Sequence, residues 1–144
     1  MTSTAIRPIE AATAVEHLML QLAAARVAGD AVAIPGSLAE ADPAVVRQWP
    51  AWVGRAAVLR SRGAWWLWCE PRRGVRPGAG QFVMDVPAGR YRVDILDTSS
   101  HAWFSRESAA GLPLVAGLPA TGHPVLVRIR RVSRSQTGFA SDLP

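Results

Sequence analysis

Tyr91, Val93 and Ile95 alternate with Arg90, Arg92 and Asp94 between the turn-forming Pro87-Ala88-Gly89 and Asp97. That two-residue period belongs to a strand with one buried face. Phe82, Met84 and Val86 repeat the period just before the turn, and Val125, Val127 and Ile129 repeat it late in the chain. Arg128 and Arg130 then fall on the opposite, outer parity, as do Arg92 and Asp94, which this reading places on a solvated face. The first two rows are expected to form a hairpin through residues 87–89. Further apolar runs predict strands over 56–60, 64–70, 102–105 and 112–116, with Ser61-Arg62-Gly63 as a hairpin connection and 71–80 as an exposed loop rich in Pro, Gly and Arg. Short strands at regular intervals point to a mainly β, antiparallel sandwich rather than alternating strands and helices.

The N-terminal third carries a different period. Val15, Leu18, Met19, Leu22 and Val27 recur at helical spacing, which predicts a helix over 7–27 with Pro8 in its first turn and Gly29 as its cap. Residues 30–36 predict a short extended segment closed by Pro35-Gly36. Ser37 to Glu40 resembles a capping box, and Asp42-Pro43 offers a second start, so a short helix is expected through about Gln48, stopped by Pro50. The chain thus divides into a helical extension over 1–54 that covers the sandwich or a partner, a β-sandwich over 55–132 and a polar tail over 133–144.

Composition narrows the chemistry. With 144 residues, 49% of them apolar, the chain can bury one substantial core. The net charge of +5 invites nucleic acid as a partner, but all 16 basic residues are arginine, and lysine and asparagine are both absent. Codon bias in a GC-rich genome gives that pattern without selection for phosphate contacts, so nucleic acid is not the expected partner. Cys69 is the single cysteine, which excludes an internal disulfide and a multi-cysteine metal site; in an apolar strand it reads as a small buried hydrophobe. Glu10, Glu16, His17 and Gln21 interrupt any export signal near the N-terminus, and no apolar run is long enough to span a bilayer. A soluble cytoplasmic protein is expected, without membrane association.

Residues 63–132 carry a Trp-rich strand (Gly63-Ala64-Trp65-Trp66-Leu67-Trp68), the turn and strand Val86 to Val93, an Asp-started turn from Asp97 to Trp103, and a closing run from Leu126 to Arg131. This layout resembles the C-terminal immunoglobulin-like accessory β-sandwich of bacterial glycoside hydrolases, including modules labelled collagen-binding. Such modules commonly read Asp-Pro-x-Thr-Gly where this chain has Asp97-Thr98-Ser99-Ser100. The resemblance implies an immunoglobulin-like, noncatalytic sandwich of bacterial origin, and it transfers no catalytic carboxylate, because in those enzymes the chemistry belongs to the barrel.

Candidate binding residues come from the tryptophans and the arginine-rich loop. Five of the six Trp lie between Trp49 and Trp68. Trp66 and Trp68 share a strand face about 7 Å apart, a spacing at which exposed indoles stack on successive sugar rings. Trp65, Leu67 and Cys69 make the other face apolar too, which favours a strand buried on both sides beneath the N-terminal helix. Trp103 is a further indole candidate, while Arg72, Arg73 and Arg76 form the densest basic cluster, suited to an anionic partner. His17, His101 and His123 lack ligand spacing, and Ser105, His101 and Asp97 lack the elbow and oxyanion loop of a hydrolase. The residues therefore lead to a noncatalytic interaction module that binds a protein partner or itself, with no cofactor and no metal. The alternatives are a carbohydrate-binding module using the Trp platform, and an enzyme fragment whose site lies at a subunit interface.

Overall fold

The computed structural model describes residues 6–27, 38–74, 79–110, 113–119 and 122–132. Its elements run β1 (Arg7–Pro8), α1 (Ala11–Val27), β2 (Ala39–Glu40), a 3-10 turn (Pro43–Val45), β3 (Val46–Gln48), β4 (Val53–Ser61), β5 (Ala64–Pro71), β6 (Ala79–Met84), β7 (Gly89–Asp97), β8 (Ala102–Ala110), β9 (Leu114–Pro119) and β10 (Val125–Val132). The chain is mainly β. A seven-stranded sheet is ordered β1-β4-β5-β10-β7-β8, with β2 also on β4, and a three-stranded sheet is ordered β3-β6-β9.

The predicted parity is what builds the core. Tyr91, Val93, Ile95, Val125, Val127, Ile129, Leu67 and Cys69 from the large sheet meet Phe82, Met84, Leu114, Ala116 and Leu118 from the small one in a single buried cluster. The opposite face of the large sheet is equally apolar at one end, where Ala57, Leu59, Trp66, Trp68, Leu96 and Leu126 are covered by Ala14, Leu18, Leu22 and Ala25 of α1. The order of layers is therefore helix, large sheet, small sheet. The unbroken apolar run of β5 follows directly, since this strand, like the middle of β4, has a covered surface on each side.

Several expectations are corrected. Phe82, Met84 and Val86 do share a core with Tyr91, Val93 and Ile95, yet β6 pairs with β3 and β9 while β7 pairs with β10 and β8. Residues 85–88 thus cross between sheets instead of closing a hairpin. Tyr91 fixes that crossover by donating its hydroxyl to the carbonyl of Pro87 at 2.6 Å. The second helix shrinks to the 3-10 turn: Asp42 accepts from the Ala44 N–H as expected of a cap, but Val46 turns extended and is buried on joining β6. Tertiary pairing overrides a marginal local signal there. Glu40 lies in β2 rather than in a capping box, and Pro8 pairs in β1, parallel to β4, rather than in the helix's first turn. That parallel pair makes the large sheet mixed, not purely antiparallel.

The β4–β5 hairpin turns through Arg62 and Gly63, the glycine at φ +78°, as the sequence predicts. Strand β8 runs to Ala110, and the strand expected over 112–116 is Leu114–Pro119. The expected segment over 30–36, the tail over 133–144, Ser37 and Arg76 lie outside the described residues.

Candidate functional site

The outer face of the large sheet changes character along its strands. Successive register rows read Ala57–Trp68–Leu126–Leu96–Trp103, then Leu59–Trp66–Arg128–Asp94–Ser105, and then Ser61–Ala64–Arg130–Arg92–Glu107. The first row lies in the apolar layer next to α1. The second brings a carboxylate and a guanidinium into that layer, and the third is dominated by charge.

Asp94 is the centre of this transition. It is 2% exposed, which overturns the solvated placement expected from parity: the parity is right, but Ser105 and the arginines around it close over the carboxylate. Its Oδ1 accepts from Ser105 Oγ at 2.6 Å and Arg92 Nε at 3.3 Å, and its Oδ2 from Arg128 Nε at 2.9 Å and Arg130 at 3.1 Å. Desolvation pushes the Asp94 carboxyl upward, but the Ser105 and Arg128 hydrogen bonds and the charges of Arg128 and Arg130 outweigh it, so the group sits below the usual carboxylate range. Arg128 is pulled below its ordinary value, first by desolvation and then by Arg130 and Arg92, against the opposing pull of Asp94. Its guanidinium carbon lies 5.7 Å from the Trp66 ring centre and 5.4 Å from that of Trp103. Arg128 is thus held by a carboxylate and two indoles at once.

Trp66 and Trp68 are 3% and 2% exposed, so they form no platform for a ligand from solvent. Trp66 donates to Ser61 Oγ at 2.8 Å; Trp68 donates to Glu70 at 3.0 Å and stacks on His17 of α1 with ring centres 5.2 Å apart. Trp103 is half-buried against the same layer. Arg72 is a clamp on the backbone, donating to the carbonyls of Ala51 and Val53 at 3.3 and 3.1 Å, which takes its guanidinium away from an anionic partner. Arg73 is exposed in the turn after β5. The structure therefore separates Arg72 and Arg73 from the tryptophan face and gathers Asp94, Arg92, Arg128 and Arg130 there instead. The signal that could have found this group is the matched parity of two strands, each carrying arginine on its outer face.

Trp65 points to the other side. It lines a cleft of about 710 Å³ with Glu40, Asp42, Asp85, Arg60 and Arg62, and the Arg60 guanidinium lies 4.7 Å from its ring centre. Asp85 is paired with Arg47 at 2.9 Å, and Asp42 is occupied as the cap of the 3-10 turn.

The two margins of the large sheet also differ. On one side β1 and β2 pair with β4 at Arg55–Ala56 and Leu59–Arg60. On the other, the nine-residue β8 has only β7 as a described neighbour in the sheet, and Phe104 is 50% exposed on it.

Cys69 is buried and its thiol is pushed up by desolvation, as a packing residue requires. Among the described residues no group of three His, Cys, Asp or Glu side chains is placed to hold a metal ion, and no helix is long and apolar enough to cross a membrane. Comparison with protein-family models, curated proteins and solved structures finds no match to this chain.

Proposed function

We propose that this chain is a noncatalytic interaction module that associates with another polypeptide along the free side of β8, the second strand being supplied in the first instance by another copy. The asymmetry of the sheet margins carries this reading. One margin is blunted by β1 and β2, while the nine-residue β8, which carries the exposed Phe104, has only β7 beside it in the sheet among the described residues. A strand edge of that length presents unpaired backbone donors and acceptors and is a ready template for strand addition. An antiparallel edge can pair with its own copy about a two-fold axis without a further partner.

Light scattering during size exclusion tests the reading. At tens of micromolar the wild type is expected as a dimer, and Phe104→Lys, which places a charge on the edge, as a monomer. A wild-type monomer throughout that range removes the self-association form.

A glycan-binding reading retains one observation: Trp65 is only partly buried, in a cleft with three carboxylates and two arginines. A sugar stacking there has to displace Arg60 from the ring. Trp fluorescence titrated with polysaccharides decides it, since unchanged emission in wild type and in Trp65→Phe leaves the cleft without a glycan.

An immunoglobulin-like arrangement, with β4 to β10 taken as its seven strands, seats β5 beside β8 and β9 beside β10. The observed pairs β5–β10 and β6–β9 describe two ribbons that bend together from one sheet into the other, which favours a rolled sandwich of the jelly-roll kind. The Tyr91–Pro87 hydrogen bond is the feature closest to the immunoglobulin-type tyrosine corner.

A further inference from the structure

We infer that Arg92 and Arg130 form a receptor for a single oxyanion, a carboxylate or a phosphate group reaching them from solvent. The two residues are direct cross-strand partners on the outer face of the large sheet. Like charges placed directly opposite one another disfavour strand pairing, so such a pair calls for an anion between them. Asp94 is the carboxylate bonded to both, and its capacity is already committed: Ser105 and Arg92 share one oxygen, Arg128 and Arg130 the other. Three guanidiniums therefore share Asp94, and in the register row of Arg130 and Arg92 the one other carboxylate residue is Glu107 of β8, on the far side of Arg92.

The three arginines are not equivalent. Arg128 is 14% exposed and wedged between Trp66 and Trp103, and its contact with Asp94 at 2.7 Å is the tightest of the set. It serves as the wall. Arg92 and Arg130 are 48% and 40% exposed, each tied to Asp94 by a single longer contact of 3.3 and 3.1 Å. Among the described side chains Asp94 is their one acceptor, which leaves terminal N–H donors of both on planar forks, the geometry that suits bidentate carboxylate or phosphate. Because Asp94 fixes both guanidiniums in advance, less ordering cost remains for an incoming anion than at a pair of free surface arginines. This site uses a different surface from the edge of β8 and stands whether or not β8 pairs with a second copy.

The test is a titration of the full chain with inorganic phosphate, and separately with glutarate, at constant ionic strength, following arginine Nε–Hε resonances by NMR. Saturable shifts confined to Arg92, Arg130 and their neighbours are expected, half-complete near about 1 mM. Saturation by only one of the two anions identifies the source. Arg92→Gln and Arg130→Gln should each weaken binding about tenfold or more, Arg130→Lys should weaken it less, and Arg47→Gln, distant in the fold, should leave it unchanged. Absence of shifts, or equal unsaturated drift at all surface arginines, overturns the inference. So does binding that survives both glutamine substitutions together in a chain whose urea midpoint is that of wild type.

Discussion

Asp94→Asn tests the central polar contact, because it keeps the side-chain shape while removing the charge. Of the bonds lost or weakened, the one to Arg92 spans 3.3 Å to a half-exposed side chain and adds little, while that to Arg130 is partly exposed and contributes at most about 1 kcal/mol. Arg128 is the main term, since it is 14% exposed and bound at 2.7 Å; a charge-assisted bond of this kind contributes about 1.5–3 kcal/mol. The substitution also removes the counter-charge that three neighbouring guanidiniums share, so a total loss of about 3 kcal/mol is expected. Urea denaturation followed by Trp fluorescence reads this as a midpoint lowered by about 1–2 M. Part of the deficit should recover in 1 M NaCl, where screening shortens to about 3 Å. The pH profile gives an independent check. The folded Asp94 carboxyl lies below its ordinary value, so its contribution is complete above the unfolded value near about 4 and is lost as pH falls through the folded one. Wild type should therefore lose stability more steeply than Asp94→Asn on acidification below about pH 4. A variant within about 0.5 kcal/mol of wild type, with no salt recovery, refutes the reasoning.

Three further outcomes follow from local geometry. Tyr91→Phe removes the hydroxyl that reaches Pro87 at 2.6 Å and should cost about 1 kcal/mol in the same urea assay, since the half-exposed crossover carbonyl can turn to water. A Cβ at Gly80 would stand 2.6 Å from the Pro50 side chain, so Gly80→Ala should cost about 1–3 kcal/mol by forcing apart the segment before β4 and strand β6. Cys69, buried with its thiol pushed up, should be unreactive to a disulfide reagent at pH 8 in the native chain and fully reactive in urea; rapid native labelling would place it outside the core.

How much of this was legible depends on which question the residues answer. Alternation at Tyr91, Val93 and Ile95 says which side chains turn inward, and they do. It does not say which strand lies alongside, so Pro87-Ala88-Gly89 reads equally well as a hairpin or as a crossing between sheets. The unbroken run from Ala64 to Cys69 correctly signals a strand covered on both sides, because period-one hydrophobicity has no polar face to expose. That same burial removes Trp66 and Trp68 from consideration as ligand platforms. Asp94 was misplaced for a different reason: its parity is right, but what closes over its carboxylate is Ser105 of β8 and Arg128 and Arg130 of β10, side chains that only strand pairing brings to it. Arg72 shows the converse, a loop arginine in a basic cluster whose guanidinium is spent on backbone carbonyls that only the fold brings near.

The buried charge group also resolves a problem that apolar alternation leaves open. A one-residue slip between β7 and β10 would turn every inward side chain outward and is strongly disfavoured. A two-residue slip preserves the faces, and the aliphatic rows Val125, Val127, Ile129 and Tyr91, Val93, Ile95 are similar enough to tolerate it. The polar row is not. In the observed register Asp94 faces Arg128, with Arg130 one row beyond. Sliding in one direction sets Asp94 against Leu126 and Arg92 against Arg128, so the carboxylate loses its direct partner and two arginines come face to face; sliding in the other keeps an arginine, Arg130, opposite Asp94 but sets Leu96 against Arg128 and draws that guanidinium in among apolar side chains. Either error gives up the close, largely buried Asp94–Arg128 pair for a poorer arrangement of the same charges. An apolar replacement of the whole cluster could match its stability, but it would leave the two strands with equivalent ways to pair. The Asp94–Arg128 contact thus selects the register that brings Arg92 and Arg130 side by side, and the same register positions β8, through Ser105, at the margin of the sheet.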